Sequence, residues 1–263
     1  MAYQDSIAFR PRRSMAAVLA ALGFWLAIAA LAALALAPAG WRLGLWYYIV
    51  SFELIRYSAY GGLLAGLVSL ASLSGWARMK RLYRLIAVCG LLLGAVLAYV
   101  PWHYAQMAAR LPVIHDITTD TVNPPVFWSV LPARRAEDAV PVEYGGPAVA
   151  RQQLEAYPDI KPVISDLPPA DAFERALVAA QAMPGWIDIV YDKKAGRIEA
   201  SQRSFWMGFT DDVVIRVARH GGGSRIDVRS LSRQGQGDFG VNADRIRAYL
   251  AALKARLLSL IHI

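Results

Sequence analysis

The sequence lacks most of the residues and motifs that would point directly to an activity. It has one cysteine in 263 residues, Cys89, so a disulfide within the chain is excluded. No GxSxG, Walker A, HExxH or CxxC motif occurs, and these patterns indicate serine hydrolases, phosphate-binding loops, zinc peptidases and dithiol centres. The sequence therefore predicts no cofactor and no metal, and it favours a protein that is not an enzyme.

Acidic residues are scarce in the first 103 positions, which carry two of them against nine lysines and arginines. Residues 104–263 carry 18 acidic and 19 basic residues. Most of the net charge of +8 therefore lies in the N-terminal part of the chain. A basic excess beside apolar segments is typical of membrane topology signals, whereas a nucleic-acid-binding domain carries it on its own surface. We expect no nucleic-acid partner.

Hydrophobic residues make up 56% of the chain, above the level of about 45–50% that is usual for soluble proteins. The excess lies in three runs without charges, at residues 15–37, 57–77 and 85–102. About 20 apolar residues are enough for a helix to cross a bilayer. The first run is longer than the apolar core of a signal peptide, so we predict three transmembrane helices in contact with membrane lipid.

The basic residues around these runs predict their orientation. Cytoplasmic segments next to transmembrane helices are enriched in lysine and arginine. Two groups satisfy this rule: Arg10, Arg12 and Arg13 before the first run, and Arg78, Lys80, Arg81 and Arg84 between the second and third. We therefore predict a cytoplasmic N-terminus at 1–14 and a C-terminal domain on the other side. In a bacterial inner membrane that side is the periplasm.

Two glycine motifs predict close helix packing. Gly62 and Gly66 form a GxxxG motif in the second run, and Gly90 and Gly94 form another in the third. Missing side chains let helix backbones approach closely. The motifs favour packing between these helices of one chain, and the alternative is a homo-oligomer.

Glu53 and Arg56 are the charged residues next to the second run. Their i,i+3 spacing allows an ion pair on one helix face. We expect a surface pair beside an interfacial aromatic belt, and the alternative is a charged site inside the membrane.

The rest of the chain predicts a water-soluble α+β domain. Residues 103–147 are rich in proline and predict an extended, irregular segment. Residues 148–263 predict helices at 148–156, at 170–183 and from an Asn242 cap onwards, with strands at 186–192, 197–204, 212–219 and 225–233. Tight turns join the strands in pairs, which indicates antiparallel hairpins. We expect a four-stranded antiparallel sheet packed by helices.

One face of this sheet is charged. Val213, Ile215 and Val217 alternate with polar residues and predict the core face. The opposite face carries our ligand-binding candidates, which are Arg216, Asp227, Arg229 and Arg233. We favour a solvated face with cross-strand ion pairs. The alternative is a polar groove, closed by the proline-rich segment, that binds an anionic or polar head group.

His115, Asp116 and Asp120, together with Asp212, are the weak catalytic candidates. Histidine and carboxylates can hold a metal or transfer protons when they converge in space. Neighbouring residues of an extended segment point to opposite sides, however, so we favour loop residues bonded to backbone. The alternative function that these residues allow is a membrane-anchored, metal-dependent hydrolase.

Residues 235–240 match the pattern GxGxxG. A dinucleotide site also needs a second parallel strand and an acidic residue beyond it, and the chain offers neither. We interpret the glycines as turns before the last helix.

Several stretches of the C-terminal half occur together in a recognisable order. They are HDITTD at 115–120, PPVF at 124–127, YP at 157–158, GRIEA at 196–200, WMGFTDDVVIR at 206–216, SRIDVRSLSR at 224–233, and Asp238, Gly240 and Asn242. Over residues of about 112–253 the chain resembles a bacterial family known as domain of unknown function 1499. The resemblance implies a shared fold and carries no catalytic residues with it.

These observations together predict a membrane-anchored binding module. The anchor would hold the α+β domain at the outer face of a bacterial inner membrane. There the domain would bind a lipid, a small polar ligand or a protein of the cell envelope.

Overall fold

The computed structural model describes residues 14–258, which form two compact units divided between Gln106 and Met107. The helices are α1 (Met15–Arg42), α2 (Tyr48–Ser72), α3 (Arg81–Ala108), α4 (Leu131–Ala136), α5 (Gly146–Ala156), α6 (Pro169–Gln181) and α7 (Val241–Leu258). The strands are β1 (Asp116–Thr118), β2 (Val163–Ser165), β3 (Trp186–Asp192), β4 (Arg197–Arg203), β5 (Thr210–His220) and β6 (Gly223–Ser232). The predicted cytoplasmic arginines Arg10, Arg12 and Arg13 lie outside the described residues.

Three helices of the first unit are long and apolar enough to cross a membrane, among the residues that the structure describes. α2 begins at Tyr48, nine residues before the uncharged run, because the aromatic stretch ahead of that run is helical as well. A 3₁₀ segment, Leu73–Arg78, follows it. Arg56 Nη2 lies 2.5 Å from Glu53 Oε2 and both side chains are exposed, so the predicted i,i+3 ion pair is confirmed.

The GxxxG motif of α2 faces Gly94 of the second motif within the chain, whereas Gly90 lies against Phe24 of α1 and Ser69 of α2. A methyl group on Gly94 would lie 2.6 Å from the carbonyl oxygen of Gly62 and from the amide nitrogen of Gly66. Real Cβ atoms are not found at such distances, so only glycine permits this approach of α2 and α3.

The second unit is built on an antiparallel sheet. Within the described residues it has six strands in the order β1-β6-β5-β4-β3, and β2 pairs with β6 beside β1. The prediction of four strands is wrong, although all four predicted strands are present as β3–β6. β1 and β2 have three residues each, which is too few for alternation to show in the sequence.

The core lies between one face of this sheet and the helices α6 and α7. The predicted core-face residues Val213, Ile215 and Val217 are buried. The other buried residues of this core include Phe173, Ala176, Leu177, Ala180, Ile226, Val228, Ile246, Tyr249, Leu250 and Leu253. Trp186 and Tyr249 stack with their ring centroids 5.4 Å apart. Burial of these apolar surfaces is the main force that holds the helices on the sheet.

Asn242 does not cap α7, because the helix begins one residue earlier and buries this side chain. Asn242 donates to the carbonyl oxygen of His115 (3.0 Å) and to Ser232 Oγ (2.9 Å). The capping acceptor is Asp238, whose carboxylate accepts from the amides of Gly240 (2.9 Å) and Asn242 (2.8 Å). Burial raises the pKa of Asp238. Residues 235–240 thus form the turn before α7, as the sequence predicts, and Asp238 within that turn caps the helix.

Candidate functional site

The sheet face turned away from α6 and α7 is the charged face that the sequence predicts. Alternation and register place on it the side chains of Asp116, Arg197, Glu199, Ser201, Asp212, Val214, Arg216, Arg225, Asp227, Arg229, Leu231 and Arg233. Residues 120–145, here named the cover segment, lie across it. Phe127 and Val130 of this segment form an apolar cluster with Val214 and Leu231.

The prediction of a solvated face is wrong. Asp212 is completely buried, and Asp227 and Arg229 are nearly so. The reason is that Val214 and Leu231 interrupt the charges and give the cover segment an apolar contact. Of the alternative, only the structural part is observed: the proline-rich segment closes over the face.

Arg229 fastens the cover segment to the middle of the face. Its guanidinium contacts both carboxylate oxygens of Asp116, at 2.8 and 2.7 Å. It also donates to the carbonyl oxygens of Pro125 (3.1 Å) and Val142 (2.6 Å). Four hydrogen bonds nearly exhaust the five donors of an arginine, so Arg229 has little capacity left for a ligand.

Tyr144 packs against the guanidinium of Arg229. The guanidinium lies over the rings of Phe127 and Tyr144, with its carbon 5.1 and 5.7 Å from their centroids. Burial raises the pKa of Tyr144 to about 12. The phenol therefore stays neutral, and the positive charge of Arg229 is enclosed by rings and by the carboxylate of Asp116.

Asp212 holds two arginines at the end of the face where β5 begins. It accepts from Arg134 Nη1 (2.7 Å), and its two oxygens accept from Arg233 Nε (3.0 Å) and Nη2 (2.8 Å). Arg134 comes from α4 and also donates to two backbone carbonyls. Burial lowers the pKa of Arg134. Burial also opposes the charge of Arg233, but its bonds to Asp212 and Glu137 outweigh this and raise its pKa.

Glu199 binds the cover segment without an arginine. This fully buried carboxylate on β4 accepts from the backbone amides of Trp128 (2.5 Å), Ser129 (2.9 Å) and Val130 (3.1 Å). The hydroxyl of Ser129 donates to it as well. Three amides that converge on one carboxylate form an anion-binding turn, and here the protein fills that turn itself.

The remaining end of the face, where β4 begins and β5 ends, is partly open, and we name it the arginine end. It contains Arg197, Arg216 and Arg225 from three neighbouring strands, with Asp120 and Asp227. Arg216 and Arg225 each contact both carboxylates at 2.9–3.1 Å, and 23% and 31% of their side chains are exposed. The cross-strand ion pairs that the sequence predicts for this face are present here, between Arg216 of β5 and Asp227 of β6.

Two arginines of the arginine end retain unused donors. Among the described residues, Arg216 donates only through Nη2. Arg197 lies over the ring of Trp128, 4.9 Å from its centroid, and forms no ion pair with any residue that the structure describes. Three arginines and two aspartates leave the arginine end with a net charge of +1.

The four predicted ligand-binding residues do not form one site. Arg216 and Asp227 lie together at the arginine end, Arg229 lies mid-sheet with Asp116, and Arg233 lies with Asp212 at the opposite end.

The weak catalytic candidates are separated in the same way. Asp116, Asp120 and Asp212 each pair with different arginines. The ring Nδ1 of His115 lies 3.0 Å from the carbonyl oxygen of Gln236. Over residues 14–258, no three histidine, cysteine or acidic side chains are grouped so that they could hold a metal ion.

Sequence reasoning missed Arg197 and Glu199 as residues of this face. Strand 197–203 does alternate, with Ile198 and Ala200 on the core face. Arg197 of β4 lies directly opposite Arg216 of β5. Aligning these two strands in the sequence would have placed Arg197 beside Arg216 on the charged face. The partners in the cover segment lie about 70 residues away along the chain and left no comparable signal.

Comparison with protein families matches residues 116–253 to the family described as protein of unknown function (DUF1499). This is more than half of the chain. The chain belongs to the DUF1499 family. No curated protein and no solved structure matches it. The part that matches DUF1499 runs from β1 into α7, so it contains the whole charged face and the cover segment, and the three apolar helices lie outside it.

We expect Arg229→Ala to destabilise the DUF1499 domain by about 3–5 kcal/mol, because the variant leaves Asp116 buried without its counter-charge. The measurement is urea unfolding of the full chain in a mild detergent, followed by pulse proteolysis of the domain. Arg247→Ala is the control, since that arginine pairs with Asp159 on the surface and exposed pairs contribute about 0–1 kcal/mol.

The double variant Asp116→Leu/Arg229→Met should be more stable than Arg229→Ala, because it buries no unpaired charge. Equal stability of Arg229→Ala and Arg247→Ala would contradict the role given to Arg229.

Proposed function

We propose that this chain is a membrane-anchored binding module whose C-terminal domain takes an anionic group at the arginine end. The observation that carries the proposal is the convergence of Arg197, Arg216 and Arg225 from three adjacent strands, partly exposed and with donors still unused. Elsewhere on the charged face the arginines are buried in ion pairs that serve the fold.

Guanidinium groups suit a phosphate or a carboxylate because their planar donors match two oxygens at once. The arginine end already holds one carboxylate in this manner. Asp120 Oδ2 lies 3.1 Å from Arg216 and 3.0 Å from Arg225, while its other oxygen accepts from the amides of Val122 and Asn123. An incoming anion would meet Arg197 and the unused donors of Arg216 beside this built-in acid.

We propose further that the three apolar helices cross a bacterial inner membrane and that the domain lies in the periplasm. The positive-inside rule supports this orientation. Arg78 and Lys80 lie between α2 and α3, and Arg81 and Arg84 lie at the start of α3, whereas Arg42 and Arg56 are the basic residues near the connection between α1 and α2.

We expect the full chain, purified in an uncharged detergent, to bind pyrophosphate or citrate in isothermal titration calorimetry. Arg197→Ala and Arg216→Ala should each weaken the binding by about tenfold or more, since a charge-assisted hydrogen bond contributes roughly 1.5–3 kcal/mol. Arg219→Ala is the matched control, because it is an exposed arginine on the same strand and on the opposite face.

Asp120→Asn should act in the opposite direction and tighten the binding. The amide can keep the turn contacts to Val122 and Asn123 while it removes the competing negative charge. Failure of both probes to bind, or equal affinity of Arg216→Ala and Arg219→Ala, would refute the anion site.

We expect alkaline phosphatase fused after residue 258 to be active, because this enzyme folds only outside the cytoplasm. A fusion in the connection between the second and third helices, after Lys80, should be inactive. The reverse pattern would show that the domain faces the cytoplasm.

A further inference from the structure

Basic side chains surround the connection between α2 and α3. Arg78, Lys80 and Arg81 are exposed, and Arg84 is half-buried in the first turn of α3. We name these four residues the basic cluster. Among residues 14–106, which are the described part of the first unit, the one acidic residue is Glu53, and it pairs with Arg56. The basic cluster therefore has no acidic counter-charge within this part of the chain.

The fold holds the basic cluster in a fixed position. Met79, in the middle of it, is buried against Ala20 of α1 and Ala87 of α3. Arg84 Nε donates to the carbonyl oxygen of Trp76 (2.9 Å), and its Nη2 donates to the next carbonyl oxygen along the chain (3.3 Å). Charges that are already ordered lose less entropy when they bind a ligand.

Apolar side chains lie directly beside these charges. Trp76 is exposed, and the guanidinium carbon of Arg84 lies 5.4 Å from the centroid of its ring. Leu82 and Leu85, at the start of α3, are each 63% exposed. Tryptophan together with lysine and arginine is typical of the lipid–water interface. A nucleic acid would pair with the charges and leave the leucines in water, whereas a phospholipid offers a charged head group and apolar chains together.

The length of α3 sets the depth of the basic cluster in a bilayer. Arg84 and Trp102 are 18 positions apart with no charged residue between them, which is about 27 Å along a helix. The hydrocarbon core of a bilayer is about 30 Å thick. The exposed rings of Tyr99 and Trp102 are typical of one interface. With these rings at that interface, Arg84 lies at the head groups of the opposite leaflet.

We propose that the basic cluster binds the head groups of anionic phospholipids, in the leaflet that surrounds the connection between α2 and α3. The phosphate charge of such lipids is not balanced by an ammonium group, as it is in phosphatidylcholine, so it can pair with the unpaired lysine and arginines. This inference rests on the proposal that the three apolar helices cross a membrane. It is independent of anion binding at the arginine end.

The test is native mass spectrometry of the full chain in an uncharged detergent, titrated with phosphatidylglycerol and with phosphatidylcholine of the same acyl chains. The cluster variant is Arg78→Gln/Lys80→Gln/Arg81→Gln. Arg84 is left unchanged because it bonds to backbone carbonyls. The three substituted residues are exposed, so the variant should fold, and thermal unfolding checks that it does.

The control variant, Arg42→Gln/Arg56→Gln/Arg110→Gln, removes the same number of positive charges from exposed positions outside the basic cluster. It separates an effect of the cluster from an effect of net charge. Extraction of membranes with alkaline carbonate is carried out first, on the unaltered chain and on both variants. Release of the unaltered chain by carbonate would refute membrane crossing, and it would overturn this inference before any lipid is compared.

We expect the unaltered chain and the control variant to bind phosphatidylglycerol roughly tenfold or more tightly than phosphatidylcholine. The cluster variant should lose most of this preference, since each basic residue near a head group contributes about fivefold in affinity. Equal binding of the two lipids by the unaltered, carbonate-resistant chain would overturn the proposal. A preference that survives in the cluster variant would also overturn it, because the head group would then bind elsewhere, for instance at the arginine end.

Discussion

A charge that leaves water must find its counter-charge and hydrogen bonds inside the protein, because the desolvation cost is otherwise several kcal/mol. In this domain the charged face places four buried carboxylates, Asp116, Glu199, Asp212 and Asp227, on a sheet that is covered from both sides. The cover segment satisfies two of them, by Arg134 on Asp212 and by the backbone amides of 128–130 on Glu199. The position of that segment is thus fixed by electrostatics as much as by its apolar contact with Val214 and Leu231.

The same constraint distinguishes the covered part of the charged face from the arginine end. The guanidinium groups of Arg229 and Arg233 donate to carboxylates and carbonyl oxygens within the domain. At the arginine end the cover segment contributes only Asp120 and the ring of Trp128, and the excess of one positive charge remains. A polar face whose buried charges are paired over most of its length stabilises one structure. The donors that stay unused at the arginine end are the basis of the proposed anion site.

The sequence was sufficient for those elements whose pattern repeats locally. Three uncharged runs predicted the apolar helices, and turns between alternating segments predicted β3–β6 and their core face. It was insufficient where the partner is distant in the chain. β1 and β2 have three residues and exist because the edge of β6 is free to pair with them. Arg229 was correctly placed on the polar face, but its saturation by Asp116, Pro125 and Val142 depends on contacts between residues about 90–110 positions apart.

Native-state hydrogen exchange of the full chain tests this account most directly, at the amides of Trp128, Ser129 and Val130. These amides lie in a segment without regular structure up to Val130, and their acceptor is the buried carboxylate of Glu199. The account predicts protection comparable to that of the central strands β5 and β6, and its loss in Glu199→Ala. Rapid exchange in the unaltered chain, at the rate of an open loop, would show that the cover segment is not held on the charged face and would contradict the account.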